Sequence, residues 1–184
     1  YKNALNISKE ENCDETIVAL GALLHDIADS KFHGGDETVG PRVARKFLES
    51  QNTSEEIIVH VINIIENISF KVGNFERKFS SIELDIVQDA DRLDAIGAIG
   101  IARCFNYGGF KNRPLYNPEI PVNRNMTKEE YKNSVSPTIN HFYEKLLLLK
   151  DKMNTKSGKK IAGERHNYME GFLEQFFAEC EGER

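Results

Sequence analysis

The chain has 184 residues, 40% of them hydrophobic and 29% charged, which suits one globular domain with a real core and excludes a disordered chain. Thirteen Gly and five Pro are too few for a collagen or a low-complexity linker, and no apolar run approaches the ~20 residues of a membrane span. A formal charge of −5, from 24 basic and 29 acidic residues, argues against general nucleic-acid binding, which needs a basic face.

Cys13, Cys104 and Cys180 are widely spaced and form no Cys-x-x-Cys pair. That pattern fits neither a disulfide framework nor a zinc knuckle, and it points to a reducing cytoplasm. No signal-peptide pattern opens the chain. The first residue is Tyr1 rather than Met, and a further helix is expected upstream of it.

Helical periodicity dominates in chain order. Ile17, Val18, Leu20, Leu23, Leu24 and Ile27 make residues 14–28 apolar on almost every side, the pattern of a buried central helix, with Ala19, Gly21 and Ala22 allowing close contact. After a Gly34-Gly35 turn, a second helix starting near Asp36 carries Val39, Val43, Phe47 and Leu48 as its apolar face. Thr53-x-x-Glu56 reads as a capping box opening a third helix, striped by Ile57, Ile58, Val61, Ile62, Ile65 and Ile68. A fourth is expected over 81–105, with Ile86, Ala90, Leu93, Gly97 and Gly100 in line. Residues 106–126, with Gly108-Gly109, Pro114, Pro118 and Pro121, read as a long loop, and loops of that length are usually functional. Helices over 136–153, with residues 146–149 buried, and over 161–180 complete an all-α chain.

Polar residues concentrate at Leu24-His25-Asp26-Ile27-Ala28-Asp29. An imidazole and carboxylates in an otherwise apolar helix are costly to bury without partners. His25 and Asp29 are four residues apart and Asp26 and Asp29 three, so all can project to one side. A buried His–Asp hydrogen bond would satisfy one such group, whereas three together point to a mixed N/O site for Mn, Fe, Zn or Mg. A second group runs from Asp85 to Asp94. Helical geometry sets Asp91 and Asp94 on one flank, with Asp85 and Asp89 opposite. Asp89 is expected to pair with Arg92 at the surface. One of Asp91 and Asp94 is expected to face a buried site, with the other solvated or behind it.

These stretches resemble the HD-domain phosphohydrolase superfamily. His25-Asp26-Ile27-Ala28-Asp29-Ser30-Lys31-Phe32-His33-Gly34-Gly35-Asp36 and Gln88-Asp89-Ala90-Asp91-Arg92-Leu93-Asp94-Ala95-Ile96-Gly97-Ala98-Ile99-Gly100 are similar to its small single-domain bacterial hydrolases. The likeness continues through Phe105-Asn106-Tyr107-Gly108-Gly109 and His141-Phe142-Tyr143-Glu144-Lys145-Leu146. A His-Asp doublet alone is weak, but the doublet with Ala90-Asp91-Arg92-Leu93 is specific. The resemblance implies a single HD-type helical bundle over 1–184 with six or more helices. It also implies a divalent cation, Mn or Mg ahead of Fe or Zn, held by His25, Asp26 and Asp91. The family's first ligand His has no counterpart before His25. Either it lies upstream, which the start at Tyr1 favours, or the site is degenerate, or His33 or His60 replaces it. His60 reads more readily as a core-edge histidine than as a ligand.

A carboxylate one turn from the ligands can orient or deprotonate a water activated by the metal, and Asp29 is placed for that. Lys31 and His33 lie in a glycine-containing turn before a helix, where backbone N–H groups and cations suit a phosphate. Lys111 and Arg113 form a second candidate clamp. The turn and the long loop are expected to face each other across the metal, the loop acting as a mobile rim. The implied activity is hydrolysis of a small phosphorylated metabolite, foremost a nucleotide, by nucleoside triphosphate pyrophosphohydrolase or nucleotidase-like chemistry. The alternatives are a phosphodiesterase for a cyclic or linear dinucleotide, which calls for further His ligands, and a catalytically silent nucleotide-binding or protein-interaction module. There is no Trp and no base-stacking motif to mark a nucleoside pocket.

Overall fold

The computed structural model describes residues 1–28, 32–68, 79–124 and 136–183. Among them are eight α-helices, one 3-10 helix and no strand, so the all-α expectation is borne out. The chain divides into two compact units, Tyr1–Asp91 and Arg92–Arg184.

The first unit holds α1 (Lys2–Ser8), α2 (Glu15–Leu24), α3 (Val39–Ser50), α4 (Glu55–Asn67) and most of α5 (Ile82–Asp94). Periodicity missed α1, which is too short to show a repeat. Its Ala4 and Ile7 are nevertheless fully buried, and it packs on α2. The Asp14 carboxylate caps α2 by accepting from the Thr16 and Ile17 N–H groups at 2.8 and 3.2 Å, a bond pair that satisfies otherwise orphaned donors. Gly21 lets α2 approach its neighbours closely, since a Cβ there would lie 3.2 Å from Ile64 Cδ1 and 3.3 Å from Val87 Cγ2. In α3 the buried line is Gly40, Ala44 and Leu48, with Val43 and Phe47 exposed. The smaller residues thus face α4, and the expected apolar face is displaced. Helix α4 starts one residue after its N-cap Ser54, which makes no side-chain cap bond, so the Thr53 capping box does not form. Glu55 and Glu56 still favour that end through the helix dipole, and Ile58, Val61, Ile64 and Ile65 are buried.

The second unit contains α6 (Gly97–Phe110), α7 (Asn140–Glu144), a 3-10 helix (Leu146–Lys152) and α8 (Lys156–Cys180). The helix expected over 81–105 is therefore two. The chain breaks where Ile96 is extended and Gly97 takes a φ of 76°, a conformation that glycine adopts without the Cβ penalty. Helix α6 then runs through Gly108-Gly109 to Phe110, so the loop begins at Lys111 rather than at residue 106. Gly108 lies too close to Thr138 to admit a Cβ. The helix expected over 136–153 is also split, at Lys145, where φ is −143° and ψ −57°. Of its four consecutive leucines only Leu146 is buried, because successive residues cannot all face inward. Helix α8 begins before residue 161, capped by Thr155, whose hydroxyl accepts from the Gly158 N–H at 2.9 Å. Ala162, His166, Met169 and Leu173 form its buried line. No helix among the described residues is long and apolar enough to cross a membrane.

Candidate functional site

His25 sits at the end of α2 rather than inside it. The helix closes at Leu24 and His25 is its C-cap, with φ −57° and ψ −32°. The His-Asp doublet therefore emerges where the apolar helix stops, at an end whose carbonyl groups favour a positive charge. The His25 ring is turned by its own helix, with Nδ1 3.0 Å from the Ala22 carbonyl oxygen. A carbonyl only accepts, so Nδ1 carries the hydrogen and donates it. Nε2 on the other side of the ring faces two carboxylates, 3.4 Å from Asp26 Oδ2 and 3.9 Å from Asp91 Oδ1. His25 is 22% exposed, Asp26 74% and Asp91 57%.

In the neutral tautomer this places the Nε2 lone pair opposite two anionic oxygens. A cation between them, either a proton on Nε2 or a metal ion, resolves that repulsion. A backbone carbonyl fixing the far nitrogen is also how ligating histidines are commonly oriented. One imidazole nitrogen with carboxylate oxygens is a donor set suited to borderline or hard divalent ions, so the chemistry of these residues fits one. Among the described residues, no three His, Cys, Asp or Glu side chains are grouped closely enough to hold a metal ion by themselves.

Elements at the far end of α2 set this arrangement. The Asp14 backbone N–H donates to Glu83 Oε1 at 3.1 Å, joining the starts of α2 and α5. Gly21 and Val87 meet midway, and His25 and Asp91 are brought together beyond them. His60 belongs to the tether at the start, with Nε2 3.2 Å from Glu83 Oε2 and 3.0 Å from Ser81 Oγ, and its ring edge-on to Phe79. It is the core-edge histidine of the sequence reading.

The other candidates divide. Asp29 and Lys31 lie outside the described residues. His33 is exposed, in a turn where Gly34 and Gly35 have φ values of 64° and 89°. The helix after this turn starts at Val39, not near Asp36. The Asp36 carboxylate instead accepts from the Thr38 hydroxyl and N–H at 2.7 and 2.9 Å, and these bonds hold its carboxyl below the usual range. One N–H that a phosphate could use is thus already engaged. Neither Asp91 nor Asp94 faces a buried site. Asp94 is exposed and ion-paired with Arg103. Asp89, expected at the surface, is fully buried, and Arg92 donates to the Lys152 carbonyl at 2.5 Å.

Lys111 and Arg113 lie at the start of the loop that follows α6 and rest against the aromatic side chains of that helix. Lys111 Nζ is 5.3 Å from the Phe110 ring centre and 5.8 Å from that of Tyr107, with Arg113 Cζ 6.0 Å from the latter. Tyr107 and Phe110 were not singled out from the sequence, although their three-residue spacing next to two cations was a usable sign. In the same unit, burial pushes the Cys104 thiol up to about 11 against an opposing effect of Arg113, which keeps it a neutral thiol. Burial, reinforced by Lys145 and Arg113, pushes His141 down to about 4.

The HD-domain family pattern matches residues 1–96, and the chain belongs to that superfamily of hydrolases. It is 38% identical over 182 residues to YpgQ of Bacillus subtilis, an uncharacterized protein, covering 97% of this chain and 80% of that one. An HD-superfamily hydrolase from Bacillus thuringiensis has a solved structure that superposes with a TM-score of 0.78 at 44% identity, covering 98% and 81% of the two chains. The crystal structure of YpgQ in complex with ADP superposes with a TM-score of 0.76 at 34% identity, covering 100% and 86%.

Proposed function

We propose that this hydrolase is a divalent-metal-dependent phosphohydrolase of small nucleotides, with nucleoside triphosphate pyrophosphohydrolysis or nucleotidase-like phosphomonoester cleavage as its reaction. The observation that carries the reading is His25 Nε2 facing Asp26 and Asp91 while Nδ1 is held by Ala22. The nucleotide part is supported by the ADP complex of YpgQ.

His25, Asp26 and Asp91 would hold the ion, with Mn or Mg favoured. Bound there, a divalent cation would neutralise charge developing on a phosphoryl group and make an attacking water more acidic. The Ala22 carbonyl keeps the His25 proton on Nδ1 and so leaves Nε2 free to ligate. Asp29 is assigned the water, accepting its proton at the carboxylate. Lys31 and His33 are assigned to the phosphate, because a net charge of −5 attracts no anion from afar and the site's carboxylates call for nearby cations to offset them.

The diesterase alternative lacks support from His60, which is engaged by Glu83 and Ser81 and so supplies no ligand for a second metal. A silent nucleotide-binding module is favoured by one observation, the lack of a closed three-residue metal group among the described residues. Metal analysis, followed by a nucleotide screen that scores phosphate and pyrophosphate separately, decides between enzyme and module. Stoichiometric metal with release of either product supports the enzyme. Nucleotide binding without metal or turnover would leave the module.

A further inference from the structure

Helices α2, α4 and α5 lie side by side in the first unit and run in the same direction. Their contacts advance together along all three. Asp14 and His60 meet Glu83, and Gly21 lies against Ile64 and Val87. Further on, Gln88 meets the end of α4 and His25 faces Asp91. The Gln88 side-chain amide donates to the carbonyls of Asn67 and Ile68, at 3.0 and 3.3 Å. Both belong to the closing turn of α4, where carbonyls have no partner within the helix. Gln88 thus closes α4 from a neighbouring helix. It does so three residues before Asp91, one turn away on the same flank of α5.

Asp91 is 57% exposed, so the seating of α5 beneath it does most to set where its carboxylate stands. At this end α5 is tied to α4 by the Gln88 bonds. Ile64 of α4 in turn lies against Gly21 of α2, four residues before His25. The two sides of the site are thus joined through α4. The chemistry of the donor fits the same role. Helix ends commonly take Lys or Arg, but a cation here would repel a metal ion held one turn away. A neutral amide satisfies the same carbonyls without that charge. We propose that Gln88 is a positioning residue, which holds α5 through the end of α4 and so keeps the Asp91 carboxylate opposite His25 Nε2. The assignment rests on the metal reading above and extends it from the ligands to the residue that keeps one of them in place.

Calorimetric titration of the full chain with Mn alone, with urea midpoints measured alongside, tests this in wild type, Gln88→Leu and Gln88→Asn. Leucine keeps most of the volume but cannot donate, and asparagine keeps the amide one methylene short. Gln88→Leu is expected to weaken Mn binding roughly threefold or more, with a smaller loss of the same sign for Gln88→Asn. The asparagine variant carries the test should the leucine variant not fold. Each is then titrated again in Asp91→Asn and Asp26→Asn backgrounds. A residue acting through Asp91 loses its effect on Mn once that carboxylate is gone, and keeps it without Asp26, which follows α2. Equal weakening in both backgrounds would overturn the proposal and leave the metal reading standing. A lower urea midpoint with Mn affinity unchanged to within about twofold would do the same, since Gln88 would then be a cap alone. No Mn binding by wild type would remove the metal reading and the positioning role together.

Discussion

The Glu83 carboxylate accepts the Asp14 N–H at 3.1 Å with one oxygen and stands 3.2 Å from His60 Nε2 with the other. Three helices are joined by this one buried side chain. Asp14 caps α2, Ser81 caps α5 by accepting the Leu84 N–H at 3.1 Å, and His60 projects from α4. Fixing the starts of α2 and α5 sets the relation of their far ends, where His25 and Asp91 emerge.

Glu83→Ala is therefore expected to lower stability by ~2 kcal/mol, because a backbone donor and a histidine lose a buried acceptor together. Urea midpoints measure it. A His60→Ala, Glu83→Ala double-mutant cycle should show clear coupling. Additive effects would mean that the two side chains act separately.

Asp26 and Asp91 are largely exposed, so neither is needed for packing. Asp26→Asn and Asp91→Asn should each leave the unfolding midpoint nearly unchanged while weakening Mn binding by roughly 10-fold or more, from the lost charge on a ligand. His25→Ala should do the same. Asp29→Asn should retain metal yet lose ~10²-fold in turnover, the scale of general acid–base assistance. Loss of metal together with activity in that variant would recast Asp29 as a ligand.

The helical architecture was legible because long amphipathic runs announce themselves. Spacing found Ile17, Val18 and Leu24 of the buried side of α2 and Ile58, Val61 and Ile65 of α4, but Leu23 is exposed where a helix buried all round was expected, the fully buried Ile64 was passed over, and Val43 and Phe47 were assigned inward on hydrophobicity alone. The breaks were harder. Nothing in Leu93-Asp94-Ala95-Ile96 forbids a helix, and the interruption depends on Gly97 taking a positive φ beside Arg165, a contact distant in sequence. The apposition of His25 and Asp91 could be anticipated only through the family likeness. The role of the Ala22 carbonyl was hidden because any residue could supply that oxygen. Asp94 shared the helical flank of Asp91, and its pairing with Arg103 emerges only once α6 is seen as a separate helix.

His141 gives a pH signature that is independent of catalysis. Burial first, then the charges of Lys145 and Arg113, lower it to about 4 in the fold from an ordinary 6.5. Between those values the unfolded chain binds the extra proton. Its contribution to stability is thus complete above pH 6.5 and is lost as pH falls toward 4, by at most ~3 kcal/mol. His141→Gln should show a shallower fall in denaturant midpoint than wild type across that window. Parallel curves would mean that His141 is protonated in the fold.

Gly97 marks the junction between α5 and α6, and its replacement should show how firmly that break is built. With φ at 76°, any L-residue costs ~1–2 kcal/mol in backbone strain. An added Cβ would also lie 3.0 to 3.1 Å from three side-chain carbons of Arg165. That arginine cannot simply swing aside without loss, because its guanidinium donates to the Leu93 carbonyl at 2.5 Å. Gly97→Ala is expected to destabilise by ~2 kcal/mol or more, combining the strain with the weakened Arg165 bond. Gly171→Ala is the matched control. It lies on the exposed face of α8 with nothing within 4 Å of the new methyl group, and helix propensity alone should make that variant ~0.5–1 kcal/mol more stable. Thermal midpoints moving in opposite directions for the two alanines would establish the break as a fixed feature. Similar gains in both would instead show that residues 94–97 can straighten into one continuous helix.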